Sequence, residues 1–318
     1  ESRGKEVAIV GSPSGCDSRL WRNIAGCPTI QFGPGNLAQC HAVDEWVDLE
    51  DYLQSILIYA NLILKWGERM SEKKKVLLAG ESWMSFTTHV KGFDTFYTSV
   101  YETGEKFLKA ALEEGGYDFT FLPNHLAMEE FPFKMEELKQ YDLLVLSDIG
   151  ANTLLLPGAT FTRSEMMPNR CNLIRDYVLE GGALLMVGGY MTFSGIDGKG
   201  KWQDTAVQEV LPVQVLSTDD RMEHCEGIRP VTVKQHEILE GLGEWPRILG
   251  YNKTILRDGA ELLAEVEGNP FIAVGEYGKG RSAVFTTDCA PHWAPPEFCN
   301  WEGYNKLFQN MAKWLTNK

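Results

Sequence analysis

From Lys75 onward the chain alternates short apolar runs with stretches in which apolar residues return every three or four positions. Short apolar runs bounded by glycine or polar residues predict buried strands, and the three-to-four spacing predicts helices. Strands are therefore expected at Val76–Ala79, Asp118–Leu122, Leu143–Ser147 and Ala183–Val187. Helices at Tyr101–Glu114, Met135–Gln140 and Ser164–Glu180 separate them, and the segment after the first strand reads as a long loop. Gly115-Gly116 and Gly181-Gly182 stop two of these helices, because a glycine backbone suits a helix end. Strands alternating with helices imply a parallel sheet covered on both faces.

Further along, strands are expected at Val210–Leu216, Ile228–Val233, Ala260–Val266, Phe271–Glu276 and Ser282–Thr286, with a closing helix at Tyr304–Leu315. Gly278-Lys279-Gly280 marks a hairpin turn between the last two strands. Ahead of Lys75 the pattern differs. Val7–Val10 and Pro28–Phe32 read as short strands, and Asp48 caps a helix whose apolar positions include Leu49, Leu53, Ile56, Ala60 and Ile63. The polar tract Gly67–Lys75 separates that helix from the first strand of the second pattern, which places a domain boundary near residue 70. Two strands and one helix do not close a core by themselves. The sequence begins at Glu1 and Met70 stands just before the boundary, so residues 1–69 read, by position, as a remnant or a fused piece.

The chain has 318 residues, enough for two domains, and 44% of them are apolar. Thirty Lys and Arg against forty-four Asp and Glu give a net charge of −14, which argues against nucleic-acid and anionic-membrane partners. The longest apolar stretch, Leu53–Trp66, is too short and too interrupted to span a bilayer. The polar start lacks the pattern of a secretory signal, and seven Cys without paired spacings read as reduced thiols. A cytoplasmic protein is expected.

Two motifs occur before the boundary: Gly15-Cys16-Asp17-Ser18-Arg19, and Phe32-Gly33-Pro34-Gly35-Asn36 followed by Cys40-His41-Ala42-Val43-Asp44-Glu45. Residues 1–70 thereby resemble the C-terminal end of the zinc-dependent aminoacylase, acetylornithine deacetylase and succinyl-diaminopimelate desuccinylase family. That resemblance implies His41 as a metal ligand and Arg19 and Asn36 at a substrate carboxylate. A catalytic zinc takes three protein ligands and an open position, so His41 holds zinc only if another chain supplies the rest. No cofactor is expected of this chain alone.

In residues 71–318 four motifs stand out: Gly80-Glu81-Ser82-Trp83, Leu146-Ser147-Asp148-Ile149-Gly150-Ala151-Asn152-Thr153, Gly188-Gly189-Tyr190-Met191-Thr192-Phe193-Ser194-Gly195, and Asp288-Cys289-Ala290-Pro291-His292-Trp293. As a set they resemble the glutamine amidotransferase-like family. This implies the class I glutamine amidotransferase fold, a flavodoxin-like, doubly wound, mostly parallel sheet. Class I enzymes carry a cysteine on a sharp turn between a strand and a helix, where the helix N-terminus favours the thiolate. In this sequence Tyr190 holds that place, and a phenol near its usual pKa of about 10 is a poor acyl acceptor. Cys289 is the alternative nucleophile, or else a buried thiol at a strand end, and His292 stands roughly where a catalytic histidine would.

Ligands of open α/β sheets bind beyond the carboxyl ends of the strands. Glu81, Trp83, His89, Asp148, Asn152, Tyr190, Ser194, His292 and Trp293 all follow strands and are expected to converge there. Aromatic faces with carboxylates and amides between them suit a small polar ligand such as a sugar, and the superfamily implied by the resemblance includes sugar-metabolism branches. Alternatively, Asp148 and Asn152 cap turns and the tryptophans are core. Two other functions stay open: a hydrolase, either of amidotransferase type or a deacylase completed by another chain, and an assembly module that forms a homo-oligomer through the apolar side of the Leu49–Trp66 helix. Glu223-His224 and His236-Glu237 read as solvated loop groups.

Overall fold

The computed structural model describes residues 18–24, 29, 32–35, 39, 41–70 and 73–317. The chain divides into two compact units, residues 1–72 and 73–318.

In the first unit, helix α1 spans Ser18–Asn23 and α2 spans Leu49–Met70. Asp48 caps α2 as expected, its carboxylate accepting from the Glu50 and Asp51 amides at 2.8 and 3.1 Å. The apolar stripe of α2 remains largely bare, with Leu49, Ile63 and Leu64 each at least 65% exposed. The expected strand Val7–Val10 lies outside the described residues, and Thr29 and Phe32, described from the second expected strand, are not in a strand.

The second unit is built on strands β1 (Lys75–Gly80), β2 (Ser82–Lys91), β3 (Asp94–Thr103), β4 (Asp118–Leu122), β5 (Leu143–Ser147), β6 (Ala183–Val187), β7 (Val213–Val215), β8 (Arg221–Ile228), β9 (Val231–Thr232), β10 (Ile248–Asn252), β11 (Thr254–Leu256), β12 (Glu261–Val266), β13 (Asn269–Tyr277) and β14 (Gly280–Phe285). Its helices are α3 (Lys106–Glu114), α4 (Asn124–Glu130), α5 (Met135–Leu138), α6 (Ala151–Leu155), α7 (Gly158–Arg163), α8 (Arg170–Leu179), α9 (Pro296–Cys299) and α10 (Gly303–Thr316).

Eight strands form the main sheet in the order β4-β1-β5-β6-β14-β13-β12-β9. The first five are parallel, and β13, β12 and β9 extend the edge antiparallel. Numbered by appearance, the parallel strands run 2-1-3-4-5, the flavodoxin-like order, with its switch point between β1 and β5. The strands are apolar on both faces because both faces are covered. Val76, Leu78, Val145 and Leu185 pack with Leu108 and Leu112 of α3 and Leu307, Phe308 and Met311 of α10. The alternate residues Leu77, Leu144, Leu146, Leu184 and Met186 pack with Ala127 of α4 and Cys171, Ile174 and Val178 of α8. The expected fold class therefore holds.

Four expectations change. The long loop after β1 is a hairpin, β2 and β3, joined through Gly92 at φ +65°. Tyr101 completes β3, so the following helix starts at Lys106. The expected helix from Ser164 is cut short: Ser164 ends α7 in the left-handed region, and α8 begins only after Asn169, whose side chain accepts from the Cys171 and Asn172 amides. The expected strand over Ile228–Val233 divides, β8 pairing with β10 and β9 joining the sheet edge.

Candidate functional site

The carboxyl ends of β1, β5, β6 and β14 bring together Glu81, Ser147, Asp148, the Gly188-Gly189-Tyr190 turn, Asp288 and Cys289. The backbone is forced here. Glu81 and Asp148 both have positive φ, +48° and +43°. A Cβ on Gly188 would lie 2.2 Å from the Thr286 carbonyl oxygen, so only glycine lets the turn approach β14 this closely. Asn252 fixes the turn, accepting from the Gly189 amide at 2.9 Å and donating to the Gly189 carbonyl at 3.1 Å.

At the bottom lies a buried carboxyl cluster. Glu81 is 1% exposed and accepts from the Ser147 hydroxyl, which lies 3.7 Å from the Cys289 sulfur. Burial, together with Asp288 and Asp148, pushes the Glu81 pKa well above the usual carboxylate range. Asp148 accepts from the Met191 amide at 2.8 Å, and burial with the Asp288 charge raises its pKa to about 6. Asp288 is 6% exposed, accepts from the Ala290 amide at 3.0 Å and faces His292 Nδ1 at 3.6 Å. That carboxylate raises the His292 pKa against the opposing effect of burial. Among the described residues, Glu81, Asp288 and Cys289 are the group whose potential ligand atoms all lie within 4.8 Å of one another. A cation there would have to displace the protons that burial holds on Glu81 and on Cys289, whose thiol is also pushed well up.

Above the cluster sits Tyr190. Its hydroxyl donates to Glu223 at 3.0 Å, the Arg221 guanidinium lies 4.9 Å from its ring centre, and His292 meets it edge-on at 4.3 Å. Trp293 donates to the other Glu223 oxygen at 2.9 Å. Burial, and next Glu223, raise the Tyr190 pKa above its ordinary value. Beyond Tyr190 the chain bends through three 3-10 turns, Ile196–Gly198, Trp202–Asp204 and Ala206–Val210, and no α-helix begins between residues 188 and 295. No α-helix N-terminus follows Tyr190 to favour an anion at this turn.

The expected site residues therefore separate. Glu81, Asp148, Tyr190 and His292 gather. Cys289 is fully buried, and burial with Glu81 and Asp288 pushes its pKa well up. Trp293 is 1% exposed, and a Cβ on Gly250 would touch its indole at 2.3 Å, so it supports Tyr190 and Glu223 and offers no face to a ligand. Ser194 is fully buried, its amide donating to Asp220. Asn152 is exposed on α6. Trp83 and His89 lie on the β2-β3 hairpin, Trp83 bonded to Glu102 at 3.1 Å and His89 stacked on Phe96 at 4.4 Å.

In the first unit, His41 is exposed and its amide donates to Glu45. No ligand cluster forms around it among the described residues. Asn36 and the Arg19 side chain lie outside the described residues.

Sequence reasoning missed Arg221, Glu223 and Asp220. Glu223 is solvent-exposed but lies on a strand, not a loop, and binds two aromatic groups, and its neighbour His224 stacks on Tyr251. His236 caps a 3-10 turn through the Ile238 amide at 3.2 Å. Asp220 accepts from the Ser194 and Gly195 amides and from Asn252, and burial raises its pKa to about 6. The Asp288-to-His292 spacing of four was a visible signal. The approach of β8 to the elbow was not, because it depends on pairing with β10.

A family model described as putative glutamine amidotransferase matches residues 75–317. The chain belongs to this glutamine amidotransferase-like family. Among solved structures, it is similar to cytoplasmic protein STM3548 from Salmonella typhimurium, at 41% identity and a TM-score of 0.75, over 77% of this chain and 100% of that one. Cytoplasmic protein STM1381 from Salmonella typhimurium LT2 matches at 42% identity and a TM-score of 0.74, over 76% and 99% of the two chains. No curated protein matches. The family match begins at residue 75, so it does not reach the N-terminal motifs. Among the described residues, no helix is long and apolar enough to cross a membrane.

Proposed function

We propose that this amidotransferase-like domain binds a small, polar, carbohydrate-like ligand at the strand ends instead of hydrolysing glutamine through an elbow thiol. The observation that carries the reading is the group around Tyr190: an aromatic ring in the nucleophile position, held by Glu223 and flanked by Arg221 and His292. An apolar ring face ringed by a carboxylate, a guanidinium and an imidazole suits a polyol, whose C–H face stacks while its hydroxyls pair. Asp148, partly exposed beside His292, adds a further acceptor.

The test is a thermal-shift and calorimetric screen of the full chain against neutral sugars, polyols and amino acids including glutamine. A ligand at 100 times its Kd stabilises the folded state by about 2.7 kcal/mol, an easily read shift. A sugar or polyol shift lost in Tyr190→Ala supports the reading. No shift with any sugar or polyol, or one unchanged in Tyr190→Ala, overturns it.

A hydrolase is the second reading, favoured by the His292–Asp288 pair at 3.6 Å, which suits a general acid or base. Glutamine hydrolysis that survives Cys289→Ser and is abolished by His292→Ala would favour it.

A further inference from the structure

The β2-β3 hairpin is ten residues long on each side and almost wholly exposed. A lone two-stranded hairpin is marginal in water, yet this one carries a row of bare apolar side chains. Its register puts Met84, Phe86, Val90, Tyr97 and Tyr101 on one face, since Met84 pairs with Tyr101, Phe86 with Ser99, Thr88 with Tyr97 and Val90 with Thr95. Phe86, Val90 and Tyr97 are 78%, 68% and 75% exposed, and Phe93 at the tip is fully bare. At the other end, Met84 and Tyr101 join Ser82, Trp83, Asn124 and His125 around a cavity of about 500 Å³.

We propose that the full chain forms a two-fold dimer in which these hairpin faces stack antiparallel, the Phe93 of each copy seated over the base cavity of the other. The hairpin is self-complementary: a bare Phe93 stands at its tip and an apolar cavity at its base, so a two-fold axis across its middle brings each Phe93 over the other copy's cavity. The area suffices. With an aromatic side chain offering about 150–250 Å², that face and its tip expose roughly 800 Å² per copy, and two copies bury about 1,600 Å², the size of a stable interface. Charge permits it too. Residues 82–103 carry only Lys91, Asp94 and Glu102, and Lys91 pairs with Asp94 across the strands, whereas the chain as a whole carries −14. The hairpin, with a net charge of only −1, is thus a surface through which two such chains approach without strong repulsion.

Light scattering coupled to size exclusion, on the full chain from low to high micromolar concentration, tests the proposal. The expected result is a species of twice 35.7 kDa in the unaltered protein and in Phe161→Glu, a charge placed on an equally bare side chain of α7. The Phe86→Glu/Tyr97→Glu pair and Phe93→Ser should each weaken the dimer at least tenfold with an unchanged circular dichroism spectrum. A monomer throughout, as expected if a different protein covers the hairpin, overturns the proposal. So does a dimer that survives the hairpin substitutions, or one lost equally in Phe161→Glu. Should the hairpin variants fail to fold, hydrogen exchange on the unaltered chain decides. Protection of residues 82–103 that rises with protein concentration supports the dimer, and exchange independent of concentration overturns it.

Discussion

Asp148 supplies a direct test of the carboxyl cluster, because its raised pKa and its hydrogen bonding are both defined. Burial and the Asp288 charge raise its folded pKa from 3.8 to about 6. A carboxyl with a raised folded pKa binds a proton more tightly when folded, so its contribution is fully present below about pH 4 and is lost as pH rises through about 6. A rise of that size corresponds to about 3 kcal/mol over the interval. Asp148→Asn removes this titration while leaving an oxygen to accept from the Met191 amide, the bond seen at 2.8 Å. Denaturant unfolding at intervals from pH 4 to pH 8 would measure it. The unaltered chain should lose about 3 kcal/mol more than the variant across the interval, the largest difference in slope falling between pH 4 and 6. Glu81, buried beside Asp148, has its own pKa raised, so the difference is spread over the two carboxyls. Parallel stability curves for the two proteins would refute the reasoning, since the proton would then have to reside elsewhere.

The remaining predictions rest on single contacts. Arg170 is fully buried and donates to the carbonyls of Leu154, Ala127, Phe131, Met128 and Thr153, so Arg170→Ala strands several acceptors and should cost about 3–5 kcal/mol in a denaturant melt. Gly104→Ala would place a methyl 2.2 Å from Glu81 Oε2 and 3.0 Å from Ala290, and should lower stability by about 1–3 kcal/mol. Asp220→Asn should destabilise despite removing a buried charge, since its oxygens accept from two amides and Asn252 and an amide nitrogen there would oppose a donor. Its melting temperature at pH 8 should fall.

The parallel core was legible because its strands are buried on both faces: Leu143–Ser147 and Ala183–Val187 are wholly apolar except for Ser147, and nothing but a covered parallel strand reads that way. The β2-β3 hairpin escaped for the opposite reason. Its Thr, Tyr, Phe and Val are a strand composition, but both faces are exposed, so the polar-apolar alternation of a half-buried strand is blurred. Of the site, the residues at strand ends were accessible to sequence reasoning, since the turn after a strand is fixed in space by the sheet. Glu81, Asp148 and Tyr190 fall in this class.

Arg221 and Glu223 belong to a different one, and they change what the site can do. They come from β8, outside the main sheet, and reach Tyr190 only because β8 pairs with β10, whose last residue, Asn252, clamps Gly189. The same strand pair thus sets the elbow backbone from below and covers its side chain from the flank. An amidotransferase elbow works by leaving its nucleophile exposed at a helix N-terminus. In this chain no α-helix follows Tyr190, whose hydroxyl is bonded to Glu223, and the Cys289 thiol is fully buried with its pKa raised. A cysteine at position 190 is not expected to be enough for glutaminase chemistry: Tyr190→Cys would still lack a helix dipole and should show no glutaminase activity above background. A burst of glutamate from that variant would mean that the sheet ends supply the oxyanion stabilisation by themselves, and that the helix is dispensable for the chemistry.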